Sequence, residues 1–230
     1  DIYQINAIIK MEIMVERNEY TLPSISLSTK ARKRSKTRYS LALQPKVLLP
    51  LLFLLTAGIR FGLSYLTSTN PTVYIDEGLY INLARNIYTN GKVMFRAQPV
   101  QYVYLLYPMV LLPLFALPAG VNLYRAIQLY NALMMASSVF PAYLIGKKMG
   151  LSKTGIWVVV LLTLLIPETC LSTHLTAEAL LYPLMMWNFV LAVDICAQQQ
   201  KGSRYVALGM LTGLLYFIKP VCIIFGVCFL

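Results

Sequence analysis

Two adjacent carboxylates stand out in the stretch Tyr74-Ile75-Asp76-Glu77-Gly78-Leu79-Tyr80. A carboxylate held in a fixed direction can take a proton from an attacking hydroxyl or bind a metal. The residues that follow have helical spacing. Leu79, Tyr80, Leu83, Ala84, Ile87 and Tyr88 share one face, and Asn82, Arg85, Asn86 and Thr89 the other. Asn90-Gly91 is a stop signal. This pattern places Asp76 at the N-cap of a short amphipathic helix and Glu77 in its first turn. A plain structural role is also open: Asp caps the helix and Glu complements its dipole. The two roles are compatible, because a cap fixes the direction of a carboxylate. Other ionisable groups are embedded in apolar runs, where their cost marks function by default: Arg60, Arg125, Glu168, Glu178 and Lys219. Pairing with a neighbour is the structural alternative for each. The single histidine, His174, sits in a short polar turn, Ser172 to Thr176, and reads as solvated or structural.

The elements that must hold these groups are membrane helices. Of 230 residues, 58% are hydrophobic and 13% charged, and mean hydropathy is +0.63. Soluble domains carry about 25% charged residues, so a soluble enzyme or a nucleic-acid module fits poorly. Net charge is +11, but the basic residues lie mostly outside the apolar runs, as on a cytoplasmic flank facing anionic lipid. Cys170, Cys196, Cys222 and Cys228 have no metal spacing and suggest no pairing. Residues 1–46 form a basic cytoplasmic tail with Lys30, Arg32, Lys33, Arg34, Lys36, Arg38 and Lys46. The chain opens at Asp1, with Met11 a candidate start, and closes in the apolar run Val221 to Leu230. It is therefore expected to be the N-terminal part of a longer protein, with residues 47–230 belonging to a truncated transmembrane domain.

A bilayer core needs about 20 apolar residues per helix. The runs are Val47–Leu66, Tyr102–Leu117, Asn122–Gly146, Gly155–Leu171, Leu175–Cys196 and Tyr205 onward. The second is short, rich in Tyr and broken by Pro108 and Pro113. If it does not cross, Lys147, Lys148, Lys153, Lys201 and Arg204 all face the cytoplasm, as the positive-inside rule asks. The expected fold is thus an all-α, polytopic transmembrane helix bundle. Residues 67–121 form a long extracytoplasmic first loop carrying interfacial helices. At about 1.5 Å per residue, Arg60 lies about 20 Å along its span, and Lys219 about 21 Å along the last. Arg60, Arg125, Glu168, Glu178 and Lys219 then gather near the outer face, and Asp194 sits at the cytoplasmic edge.

These features, in this order, resemble the integral-membrane, type C glycosyltransferases that use polyprenyl-phosphate sugars. The nearest likeness is to the protein O-mannosyltransferase and lipid A aminoarabinose transferase group. A basic tail and one span precede an outer loop with Asp76-Glu77, Tyr80 and Asn82-Leu83-Ala84-Arg85. A segment rich in proline and tyrosine ends in Pro113-Leu114-Phe115. The next span opens with Arg125, contains Asn131 and closes in Gly146-Lys147-Lys148. Thr176-Ala177-Glu178-Ala179 and the run from Gly209 into Lys219-Pro220 complete the match, over about residues 47–225. One feature departs from the aminoarabinose transferases, which carry a lysine after the first loop helix. Here Gln98-Pro99-Val100-Gln101 has none, and Arg96 is the nearby cation.

The resemblance implies an inverting glycosyltransferase, moving a sugar from a polyprenyl-phosphate donor to an acceptor hydroxyl at the extracytoplasmic membrane face. Asp76 corresponds to the essential loop acid and general base, and Glu77 to its partner. Arg85, Arg125 and Lys219 fall where basic residues meet the donor phosphate, and Tyr80 and Glu178 belong to the same site. The acceptor is a protein, lipid or glycan. No cofactor is required by this reading, a divalent metal stays open, and no nucleic acid is involved. The expected location is multi-pass in the plasma membrane of a bacterium or archaeon rather than in the endoplasmic reticulum. A polytopic transporter or lipid-handling protein is the alternative.

Overall fold

The computed structural model describes residues 44–68, 75–95, 98–99, 101, 104–165, 175–197, 202–222 and 224. The basic tail before residue 44, together with Arg96, Glu168, Cys170, His174, Lys201 and Cys228, lies outside the described residues. Helices make up 81% of what is described.

Helix α1 spans Pro45–Thr67, with proline in its first turn, where a missing N–H costs nothing. Helix α2 spans Ile75–Asn90, and a two-stranded antiparallel hairpin follows, β1 Met94–Phe95 against β2 Gln98–Pro99. Helix α3, Leu106–Leu111, tightens into a 3-10 turn at Leu112–Ala116. Then come α4 (Leu123–Ala136), α5 (Val139–Lys148), α6 (Lys153–Leu165), α7 (Glu178–Ala197) and α8 (Gly202–Tyr216), closed by a 3-10 turn at Pro220–Cys222. Helix α7 is the centre, packing on α4, α5 and α8, while α1 packs on α4 and α5 on α6.

Three helical stretches are long and apolar enough to cross a bilayer: α1 with 23 residues, the α4–α5 run with 26 and α7 with 20. The burial of α1 is inverted relative to a soluble helix. Its packed stripe is Ala57, Arg60 and Ser64 (4%, 6% and 1% exposed), while Leu54 and Leu66 are 62% and 79% exposed. Small and polar residues toward protein with leucines outward is the pattern that lipid permits and water forbids. The chain is therefore a membrane protein.

The elements depart from the sequence expectations in four places. The run Asn122–Gly146 is not one straight helix, because Pro141 offers no N–H to the Ser137 carbonyl and its ring crowds that group. The chain turns at Ser137–Ser138, whose hydroxyls donate back to the carbonyls of Met134 (2.6 Å) and Met135 (2.7 Å). The last span stops at Tyr216, since Pro220 disfavours helical geometry at Lys219, so Lys219 stands beyond the helix end rather than within it. Helix α6 is described from Lys153 to Leu165, and the rest of its expected run lies outside the described residues. Helix α2 begins at Ile75, so Asp76 lies in its first turn beside Glu77 and not at its N-cap. The hairpin was not expected at all. It is anchored by Asn86, whose side-chain amide donates to the Met94 carbonyl at 2.8 Å.

Geometry favours glycine at Gly91 and Gly146, and at Gly150 with φ 70°. Gly91 ends α2 with φ 62° and donates to the Ile87 carbonyl at 3.0 Å. At Gly146 an added Cβ would sit 3.3 Å from the Ile156 Cα, so glycine lets α5 and α6 approach.

Candidate functional site

The two acids of α2 part company. Asp76 is exposed, whereas Glu77 is 0% exposed. A buried carboxylate is costly unless its oxygens are satisfied. Here the backbone N–H of Leu175 donates to Glu77 Oε1 at 2.7 Å. Leu175 itself is buried just ahead of α7, so the bond ties the start of α2 to the approach of the central helix. Below it lie Tyr80 and Ala84 of α2, Tyr107 and Leu111 of α3, Ile127 of α4 and Leu180 of α7, in one hydrophobic cluster.

The Tyr80 ring stands edge-on to Tyr107, with centroids 5.0 Å apart at 79°. The Tyr107 hydroxyl exchanges hydrogen bonds with the Asn131 side chain, at 3.1 Å to Oδ1 and 2.9 Å from Nδ2. Burial raises the Tyr107 phenol above its ordinary pKa; the Asn131 bond opposes this and the nearby Glu77 and Glu178 charges reinforce it. Glu178 opens α7 and forms an ion pair with Lys219, both half-buried. The turn that ends α8 thus places Lys219 over the first turn of α7, where an acid also complements the helix dipole.

Arg125 lies in the first turn of α4, which Asn122 caps by accepting from the Arg125 N–H at 3.2 Å. Its guanidinium donates to the Ser68 carbonyl (2.9 Å) and to Gln128 Oε1 (2.8 Å), and lies 4.0 Å from the Tyr65 ring centroid. Buried Gln128 in turn donates to the carbonyls of Ser64 (3.3 Å) and Ser68 (3.1 Å). Both side chains satisfy the carbonyl of Ser68 at the C-cap of α1, and Gln128 adds to the Ser64 carbonyl, which also accepts from the Ser68 N–H at 3.0 Å. Among the described residues Arg125 has no carboxylate partner. The neighbouring Tyr124 lies within electrostatic reach of both Glu77 and Arg125. Through Tyr124 and Tyr107, then, Arg125, Glu77, Glu178 and Lys219 share one end of the molecule.

Two candidates stand apart. Arg85 is exposed on α2 and forms no ion pair among the described residues. Arg60 is buried and donates to the Leu164 carbonyl at 3.2 Å, bracing α1 on α6. At the opposite end of α7, Lys148 pairs with Asp194. Glu178 and Asp194 are 16 residues apart, about 24 Å of helix, so the two ion pairs bracket most of a bilayer core.

A cleft of about 510 Å³ runs beside α4. Phe61 of α1, Leu114 and Leu117 around the 3-10 turn, and Leu129 and Leu133 of α4 form its walls; Asn122 and Arg125 stand at one end. The cleft is almost wholly apolar, with Arg125 among its lining residues, and an apolar cleft beside a basic residue suits an amphiphile with an anionic head. Tyr107 and Gln128 are the functional candidates that sequence reasoning missed. Gln128 carried a signal, being a polar residue inside an apolar run one turn after Arg125. Among the described residues no cluster of His, Cys, Asp and Glu could hold a metal ion. Cys196 and Cys222 are free thiols.

The chain matches no family model, no curated protein and no solved structure.

Proposed function

We propose that this protein is a multi-pass glycosyltransferase that moves a sugar from a polyprenyl-phosphate donor to an acceptor hydroxyl at the outer membrane face. The observation that carries the reading is the apolar cleft whose lining includes Arg125. A lipid-linked phosphate needs an apolar channel for its tail and an uncompensated cation for its head, within reach of an acid. Among the described residues Arg125 is matched only by neutral acceptors, and the acid pair of α2 belongs to the same end. Lys219 is already paired with Glu178, and Arg85 points to solvent, so Arg125 is the better phosphate ligand of the three.

In this reading Asp76 takes the proton of the acceptor hydroxyl as its oxygen attacks the anomeric carbon. The carbon–oxygen bond to phosphate breaks with inversion, and the polyprenyl phosphate leaves with the electron pair, steadied by Arg125. Glu77 is a positioning residue, holding the first turn of α2 against the approach to α7. Tyr80 packs behind it on Tyr107. The membrane orientation that goes with this proposal puts residues 67–121 outside and Lys147, Lys148 and Lys153 inside, in the plasma membrane of a bacterium or archaeon. The segment Leu106–Ala116 supports it by length, since 11 residues of helix reach only about 17 Å.

The cleft equally suits a lipid-handling protein without chemistry, and the acid pair is what favours transfer. The test is retention of polyprenyl phosphate by the purified protein. Arg125→Gln should weaken it about tenfold or more, as a charge-assisted contact of about 1.5–3 kcal/mol is lost. Unchanged retention would remove the donor-site assignment.

A further inference from the structure

We propose that the crevice between the C-terminal ends of α5 and α7 binds an anionic phospholipid of the leaflet that faces that end. It lies at the far end of α7 from the cleft above and is independent of the transferase reading. The crevice holds about 380 Å³. Phe189, Ala192, Val193 and Cys196 line it from α7 at positions i, i+3, i+4 and i+7, one stripe about 10 Å long. Met149 closes the other wall, and Lys148 stands at its lip.

Charge selects the occupant. Lys148 reaches across to Asp194, the single acid among the described residues at this end. That leaves Lys147 and Lys153, both exposed and without a carboxylate partner among the described residues. Lys147 adjoins the lip residue Lys148 in the chain and Lys153 follows five residues on, so basic residues near the lip outnumber the one acid. A free phosphate would leave the channel walls uncovered, and a peptide would bring unpaired backbone to bilayer depth. A phospholipid satisfies both parts: its acyl chain covers the α7 stripe and its phosphate meets Lys147 and Lys148. Position agrees, because the crevice flanks the last turns of a helix long enough to span, where headgroups begin.

The full chain is purified in detergent with equal dioleoyl phosphatidylglycerol and dioleoyl phosphatidylcholine, and retained lipid per protein is counted by mass spectrometry. Wild type should retain phosphatidylglycerol in preference. Replacing Lys147 and Lys148 by Gln should lower that retention roughly fivefold per lysine, the weight of one cation at an anionic surface. Cys196→Trp fills the crevice with the charges intact and should lower it as much. Asp194→Asn removes a competing anion and should raise it, although it breaks the ion pair. Equal retention of the two lipids by wild type overturns the site. So does full retention by Cys196→Trp, or a loss in Asp194→Asn, which would make the lysines structural. If the double-lysine variant fails to fold, the other two variants still decide.

Discussion

Glu77→Ala is expected to be strongly destabilising, and Asp76→Ala, one residue earlier, nearly silent for stability. Removing the Glu77 side chain leaves the buried Leu175 N–H without this acceptor, at about 1–3 kcal/mol. It also removes one buried methylene, at about 0.8 kcal/mol. The sum is roughly 2–4 kcal/mol. Asp76 is exposed and contributes only its favourable place at the helix N-terminus, about 0.3–1 kcal/mol. Glu77→Gln keeps an acceptor oxygen and loses the charge, so it should fall between the two. The assay is thermal unfolding of purified protein in one detergent, with hydrogen exchange across residues 175–180. The Ala variant should melt roughly 10 °C lower, with faster exchange at the Leu175 amide. Equal melting of Glu77→Ala and Asp76→Ala, with unchanged exchange there, would refute the claim that this bond ties α2 to α7.

Two other outcomes are expected. Pro141→Ala restores an N–H for the Ser137 carbonyl, so α4 and α5 should merge into a straighter helix; spin labels at Leu129 and Lys147 should move apart, and an unchanged distance would assign the break to Ser137–Ser138 instead. A cysteine at Ser152, in a background with the native cysteines replaced, should resist a membrane-impermeant thiol reagent in intact cells; strong labelling would mean that residues 102–117 cross the membrane.

Much of the helical framework was legible in the sequence, because hydropathy over about 20 residues reports burial away from water whatever covers it. The ends of α1 and α7 fall within a few residues of their apolar runs for that reason. The same measure is blind to backbone chemistry. It carried the run from Asn122 past Pro141 and the last run past Pro220, where the missing N–H decides. It is also blind to partner, so it could not tell that α1 turns Arg60 and Ser64 inward and its leucines outward. Which acid of α2 is buried was undecidable locally. At about 100° per residue, Asp76 and Glu77 lie about 30° and about 70° from the centre of the stripe Tyr80, Leu83 and Ala84. The group that decides, the Leu175 N–H, is 98 residues away. Likewise Lys219 was visible as a charge in an apolar run, but its partner Glu178 is 41 residues upstream. The two-residue strands of the hairpin are too short for any alternation to register.

The transferase reading is tested most directly at Asp76. Its exposure in the first turn of α2 means that Asp76→Asn removes a proton acceptor while leaving shape, helix and the buried Glu77 bond in place. Sugar transfer from a polyprenyl-phosphate donor would be measured in membranes containing equal amounts of wild type and Asp76→Asn. A general base contributes about 10²–10⁴-fold, so turnover should fall by at least about a hundredfold with donor retention unchanged. Near-normal turnover in the Asn variant would contradict the mechanism and reduce Asp76 to a helix-terminal charge.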